Sequence, residues 1–375
     1  MYAPLIFLFQ RRINILSINE NDVYFLDTPD TNMTGYEEYY DQFNRLFDEY
    51  KKLDKDAKVI AVEEVVNIYH DKKLFPMNYL SKESMIKEIQ SLSKKSFNFD
   101  GKNLRVFSNL GNKTCRNISK NIHLAKGMSG KSGEMDGFCS RDKMMTVVNF
   151  VMRSGEVPLP HKIRRAIALS NGSVQNFLPA RAKSIYDYFC KNGDVVYDYS
   201  AGFGGRMVGA ATSNKDITYI GVEPNTTTYN NLLNLRDLLG EALDKKDKIK
   251  IYKDVSECFK LPDESIDVAF SSPPYFDLEV YCDEPTQCYN KFNQYEAWIN
   301  GYVYPTMLNI KKALKKDGLF IVNIANNKKH NLLDDWKTVC EDIGLEYQGN
   351  FKMILSQRPG SKNVKYEEIT IYKKV

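Results

Sequence analysis

A chain of 375 residues that is 43% hydrophobic and 27% charged can bury a sizeable core, which excludes a disordered protein and leaves room for two domains of ordinary size. A formal charge of +4 permits a nucleic-acid partner without demanding one. The seven cysteines (Cys115, Cys139, Cys190, Cys258, Cys282, Cys288 and Cys340) form no C-x-x-C pair, and only four histidines accompany them. That pattern points to free thiols in a reducing cytoplasm and away from a structural zinc site.

The apolar opening at residues 2–9 is followed by Arg11 and Arg12. It is too short to span a bilayer and its charges lie on the wrong side for a secretory signal, so it reads as a buried strand or a loose start. Amphipathic spacing predicts helices at residues 36–53 and 82–93. A polar, Lys- and Gly-rich stretch follows at 113–137. Within it, residues 113–131, with Arg116, Lys120 and Lys126, suit a phosphate-contacting surface, or else a plain solvated face. Residues 155–161, with Pro158 and Pro160, are a cluster of breakers that suggests a boundary near 155. Residues 1–155 then form an N-terminal α+β domain with target recognition as its candidate role, and 156–375 form a second domain.

From about residue 164 the texture changes. A helix at 181–190 leads into the apolar runs VVYDY (195–199), ITYIGVE (217–223), IKIYKD (249–254), IDVAFSS (266–272) and GLFIVNIA (318–325), with helical spacers between them. Strand-helix alternation predicts an α/β fold with a mostly parallel sheet whose ligand site lies at the carboxyl ends of the strands. Residues 345–355 and 367–375 add two strands suited to an antiparallel pair at one edge.

The first of these strands ends at Asp198 and runs through Tyr199, Ser200, Ala201, Gly202, Phe203, Gly204 and Gly205 into a helix. Glycines in such a turn let the backbone approach a ligand closely, although a tight strand-to-helix connection has the same look. Glu223 ends the next strand about 20 residues later, where an acid can accept hydrogen bonds from both hydroxyls of a ribose. Asp254 closes the third strand, placed to receive the amino group of the same ligand's base or to be a surface turn residue. No G-K-[ST] follows the glycines, so the ligand reads as a nucleoside and not a triphosphate.

Ser272, Pro273, Pro274 and Tyr275 follow the fourth strand directly. Two prolines donate no backbone hydrogen bonds and fix an extended turn whose carbonyls face outward. An exocyclic amine is a poor nucleophile because its lone pair is delocalised, and acceptors on its hydrogens, here Ser272 and the Pro273 carbonyl, would localise it. Tyr275 and Phe276 are placed to stack on a base. Asp277 and Glu279 continue the loop, either lining the same pocket or exposed to solvent. Residues 357–362, with Arg358 and Lys362, read as a polar hairpin that touches a phosphate backbone or is a plain exposed turn.

Together these motifs resemble the amino-methyltransferases of DNA, whose pattern couples a D-x-x-x-G-x-G cofactor loop to a [DNS]-P-P-[YFW] catalytic turn. The likeness covers residues 176–330, with the two motifs about 75 residues apart. It implies a Rossmann-like class I methyltransferase fold for 156–375, S-adenosyl-L-methionine as cofactor and DNA as partner. It sets Asp198, Ser200, Ala201, Gly202 and Gly204 on the cofactor loop, Glu223 on the ribose and Ser272 to Tyr275 on the catalytic turn. Phe177 and Pro179 fall on a short element that packs against the methionine part of the cofactor. Tyr199 departs from the family's usual proline, and Gly205 and Arg206 from its small or hydroxyl residues, which leaves Arg206 to contact a carboxylate or phosphate. An initial Ser leans toward cytosine N4, where Asp or Asn leans toward adenine N6, and both bases stay open. So do RNA bases, a protein glutamine, and a non-catalytic scaffold on the same fold.

Overall fold

The computed structural model describes residues 17–26, 35–127, 132–327, 329–357 and 364–375. The apolar opening and, beyond the backbone of Gln357, the polar hairpin at 358–362 lie outside the described residues. The chain divides into two compact units, one from the described parts of 1–27, 32–79 and 132–173, the other from those of 80–131 and 174–375. This differs from the single break expected at 155. Leu92, Leu104, Val106 and Cys115 share one apolar core with Val208, Leu235, Val268 and Phe270, so residues 80–127 belong to the second unit by packing. The Pro-rich cluster that suggested a boundary is a helix start, since Pro160 occupies the first turn of Pro160–Asn171, where its missing N–H has no intrahelical partner to lose.

The first unit is mostly helical among its described residues: Tyr40–Lys52, Lys55–Lys72, Glu134–Cys139, Arg141–Arg153 and Pro160–Asn171. Asp54 starts the longest helix by accepting hydrogen bonds from the free N–H groups of Asp56 and Ala57. Phe43, Leu46, Phe47 and Tyr50, at helical spacing, enter a core with Val65, Tyr69, Phe138 and Val148. Among the described residues, extended pairing within this unit is a single bridge between Tyr24 and Leu74, so little of the expected strand content is found there.

The second unit is built on an eight-stranded sheet. Its main strands are β1 (Val195–Asp198), β2 (Thr218–Val222), β3 (Ile249–Tyr252), β4 (Ile266–Ser271), β5 (Leu314–Asn323), β6 (Leu345–Gln357) and β7 (Val364–Lys374). They lie in the order β6-β7-β5-β4-β1-β2-β3, with the two-residue strand Asn103–Leu104 outside β6. β1 to β5 pair in parallel, and β7 runs antiparallel to both β5 and β6. This is the Rossmann-like α/β arrangement with an antiparallel C-terminal edge that the sequence implied.

Side chains alternate between the two faces of the sheet with period two. Val196, Val268, Phe270 and Ile321 point toward α1 (Lys82–Ser93), α2 (Asn112–Ile118), α3 (Pro179–Phe189), α4 (Gly205–Ala211) and α5 (Thr226–Leu243). Tyr197, Ala269, Phe320 and Val322 point toward α6 (Tyr304–Ala313) and α7 (Leu332–Asp342). β1 sits between β2 and β4, so connections leave it in opposite directions and open a crevice at its carboxyl end, the place where such sheets bind ligands. Among the described residues no helix is long and apolar enough to cross a membrane.

Candidate active site

At that crevice lies a cavity of about 600 Å³. Its wall holds Ser200, Ala201 and Gly202 from the turn after β1, Glu223 from the end of β2, and Ser272, Pro273, Pro274 and Tyr275 from the turn after β4. The two motifs, distant in sequence, meet around one space. A hydrogen bond joins their supports directly: Ser271 Oγ, at the end of β4, donates to Asp198 Oδ1, at the end of β1, over 2.7 Å.

Asp198 does not line the cavity. Its fully buried carboxylate accepts from Ser271, from Tyr219 Oη at 2.7 Å and from Arg206 Nε at 2.8 Å. Burial works against the Arg206 charge, but Asp198 beside it, together with the hydroxyls of Tyr219 and Tyr186, raises the guanidinium above its ordinary value. Arg206 also donates to the Ser200 carbonyl, so the unusual residue after the glycines pairs with a carboxylate and locks the loop from behind. Gly202 and Gly204 both adopt positive φ, which glycine tolerates best. Gly204 faces Leu232 and Leu235 of α5 and not the cavity. A Cβ on Gly205 would stand 1.8 Å from the Phe177 carbonyl oxygen, so α4 can start there only with glycine.

Glu223 is the acid the cavity was expected to hold. Its carboxylate accepts from Gly202 N and Asn225 N, each at 2.9 Å, and remains 7% exposed. Burial pushes its pKa up to about 7, against the pull of those two N–H groups. The protonated carboxyl is therefore favoured in the folded protein below neutral pH. Stability from this group is full below the ordinary carboxyl range and falls as pH rises through 7. Acceptance of two ribose hydroxyls has the opposite preference, because it needs the ionised form. Nucleoside affinity should therefore rise roughly tenfold between pH 6 and pH 8, by the one-unit gap between pH 6 and the pKa, and Glu223→Gln should weaken binding and flatten the profile. Calorimetric titration with S-adenosylhomocysteine across that range checks it; an unchanged slope in Glu223→Gln would assign the pH dependence elsewhere.

No family model matches the sequence, and no curated protein matches it either. Solved structures similar to the chain include a TehB-like SAM-dependent methyltransferase from Corynebacterium glutamicum, 15% identical over 61% of this chain and 98% of that one, with a TM-score of 0.35. A geranyl diphosphate methyltransferase in complex with SAM is 12% identical over 52% and 85%, with a TM-score of 0.37. TrmN from Thermus thermophilus is 12% identical over 52% and 49%, with a TM-score of 0.35. Likeness this loose speaks to neither activity nor substrate.

The remaining expected residues divide. Phe177 lines the cavity, its ring edge-on to Phe270 and 5.7 Å from the Arg206 guanidinium, whereas Pro179 lies behind it at the start of α3, against Gly111. Asp254 is exposed and accepts from its neighbour's Val255 N–H, and the wall at that point is Val255, Ser256 and Glu257. Phe276 turns away from the cavity. It is buried against Tyr295, Trp298 and His330 with φ 58, so it anchors the turn and does not stack on a ligand. Asp277 pairs with Lys329 at 3.0 Å outside the wall, whereas Glu279 lines it. Burial raises the Glu279 pKa, opposed by the Tyr281 hydroxyl and reinforced by Glu367.

Residues 113–127 are not an open cationic face: only Lys113 and Leu124 are exposed. Thr114, Cys115, Ile122 and Ala125 are buried, and Lys126 exchanges two backbone hydrogen bonds of 2.8 Å with Val280 in the loop beyond the diproline turn. Asn109 and Asn112, just ahead of this stretch, reach the cavity wall. No motif marks them, or Gln287, Tyr302, Asn323, Met353, Leu355 and Glu367, which also line the cavity. Tyr302 carries the one partial signal, since it lies in the π-helical turn Ile299–Val303, a distortion common at functional sites, and its hydroxyl meets Ser200 Oγ at 3.2 Å. Amino-acid pattern does not announce such a turn.

Proposed function

We propose that the second unit is an S-adenosylmethionine-dependent methyltransferase acting on an exocyclic amino nitrogen of a DNA base, cytosine N4 or adenine N6. One observation carries the reading: the glycine turn and the diproline turn face the same cavity and share the buried Asp198 as a brace. The residues suit the cofactor. Glu223 is a buried carboxylate whose protein partners are two backbone N–H groups, which leaves lone pairs for a ribose diol, and a space of about 600 Å³ is roomy enough for a nucleoside and a base. Bound there, S-adenosylmethionine supplies an activated methyl group on a sulfonium centre.

The chain's own part is binding and orientation. Gly202 and Ala201 offer a backbone that a ligand can approach closely, and Phe177 supplies an apolar wall. Ser272 Oγ and the Pro273 carbonyl accept the hydrogens of the acceptor amine and concentrate its lone pair on nitrogen. Tyr275 presents its ring while its hydroxyl donates to the Asn323 carbonyl at 3.2 Å, which fixes the ring plane. Both arginines in the wall are occupied by protein groups, Arg181 by the Val106 and Ile354 carbonyls and Arg206 by Asp198. With Glu223, Glu279 and Glu367 also in the wall, the cavity suits a neutral base lifted out of its strand and repels a phosphate. Target recognition falls to the first unit in this reading.

Mass spectrometry of nucleosides from the DNA and RNA of cells expressing the protein tests the proposal. N4-methylcytosine or N6-methyladenine in DNA, absent with Tyr275→Ala, is the expected result. A methylated base in RNA alone would reassign the acceptor, and no methylated base in either pool would reject nucleic-acid methylation.

A further inference from the structure

Gln287 lines the cavity, is 5% exposed, and its Nε2 reaches no acceptor among the described residues. Buried donors are nearly always paired because leaving one unmade costs the full desolvation of the group, so an orphan in a ligand cavity calls for an acceptor brought by the ligand. Its backbone is fixed: the Gln287 N–H donates to the Glu284 carbonyl at 3.1 Å, and its own carbonyl accepts from Asn290 and Lys291 at 3.0 Å each. Its neighbours locate it. Thr286 Oγ1 reaches the Pro224 carbonyl at 3.5 Å, one residue past Glu223, and Lys291 pairs with Glu257 at 2.7 Å. Gln287 therefore spans the part of the wall between the ends of β2 and β3, beyond the ribose acid, where the heterocycle of a nucleoside held by Glu223 must lie.

We propose that Gln287 reads that heterocycle as a 6-aminopurine. Its Nε2 donates to N7 of the ring and its Oε1 accepts an amino hydrogen, the two-point match a carboxamide makes with the N6/N7 edge of adenine, where an oxopurine presents two acceptors and no donor. The assignment rests on the cavity being the cofactor site. It adds the residue that distinguishes an amino- from an oxopurine, a task that Asp254, exposed and bonded to its own neighbour, does not perform.

The test is calorimetric binding of S-adenosylhomocysteine and S-inosylhomocysteine to the full-length protein and to Gln287→Leu. The wild-type protein should prefer the adenosyl compound by about tenfold or more, the effect of one or two neutral hydrogen bonds, and Gln287→Leu should lose that preference. Ligand-free Gln287→Leu should melt no lower than wild type, since it removes an unpaired donor. If wild type binds both compounds equally, or if the leucine variant keeps the preference, the inference is overturned while the cofactor site stands. Wild-type protein that binds neither compound overturns both. Should the leucine variant not fold, the wild-type comparison decides alone.

Discussion

Replacing Pro274 with alanine should slow methyl transfer roughly hundredfold, the size of effect expected when reacting groups are misplaced by about 1 Å, and leave S-adenosylhomocysteine binding unchanged. The turn is clamped at both ends. Ser271 is tied to Asp198 on one side, and Phe276 is buried among Tyr295, Trp298 and His330 on the other, in a left-handed conformation that a bulky residue adopts only when its surroundings impose it. Between the clamps the two prolines fix φ and offer no N–H, so the Pro273 carbonyl cannot swing away from the cavity. Alanine at 274 frees that torsion and adds a donor that competes for the same acceptors. Glu223 and the glycine turn are untouched, which is why binding and turnover should separate. Single-turnover transfer of a radiolabelled methyl group checks it, and a wild-type rate in Pro274→Ala would remove the rigid turn from the mechanism.

Arg206→Met should destabilise the second unit by about 3–5 kcal/mol, the usual result of leaving one half of a buried ion pair behind, which lowers the melting temperature by roughly 10 °C for a unit of this size. Asp198 is fully buried and Arg206 5% exposed, so water cannot replace the lost partner. Tyr219 and Ser271 would remain as neutral donors to a carboxylate that the guanidinium now neutralises. The double variant Arg206→Met with Asp198→Asn should recover much of the loss, because it removes the stranded charge. A thermal melt of the three variants measures this. If Arg206→Met melts within a degree or two of wild type, the brace between the two motifs is not what holds the loop.

Local pattern carried much of the fold. Every main strand of the second unit falls on an apolar run visible in the sequence, and the helices at 40–52, 82–93 and 179–189 sit where periodicity set them within a few residues. Those features depend on near neighbours, as do the glycine turn, Glu223 and the diproline turn, whose backbone restrictions are properties of the residues themselves. Phe276 and Asp198 show where this stops. Adjacent to or within a motif, each reads in the sequence as a ligand contact, yet one faces an aromatic cluster and the other a buried arginine.

What the sequence alone determined was therefore the α/β alternation, the two motifs and the acid between them, because each is written in a window of a few residues. Which segments share a core, which side of the turn a ring occupies and which amides close the cavity were decided only by tertiary packing. Residues 80–127 joined the second unit through Leu92, Leu104 and Cys115, which share a core with Val208, Leu235 and Val268 far along the chain, and Gln287 is carried to the cavity wall by its neighbours Thr286 and Lys291, which meet Pro224 and Glu257. Burial is a property of the assembled whole, and no local pattern of residue types records it.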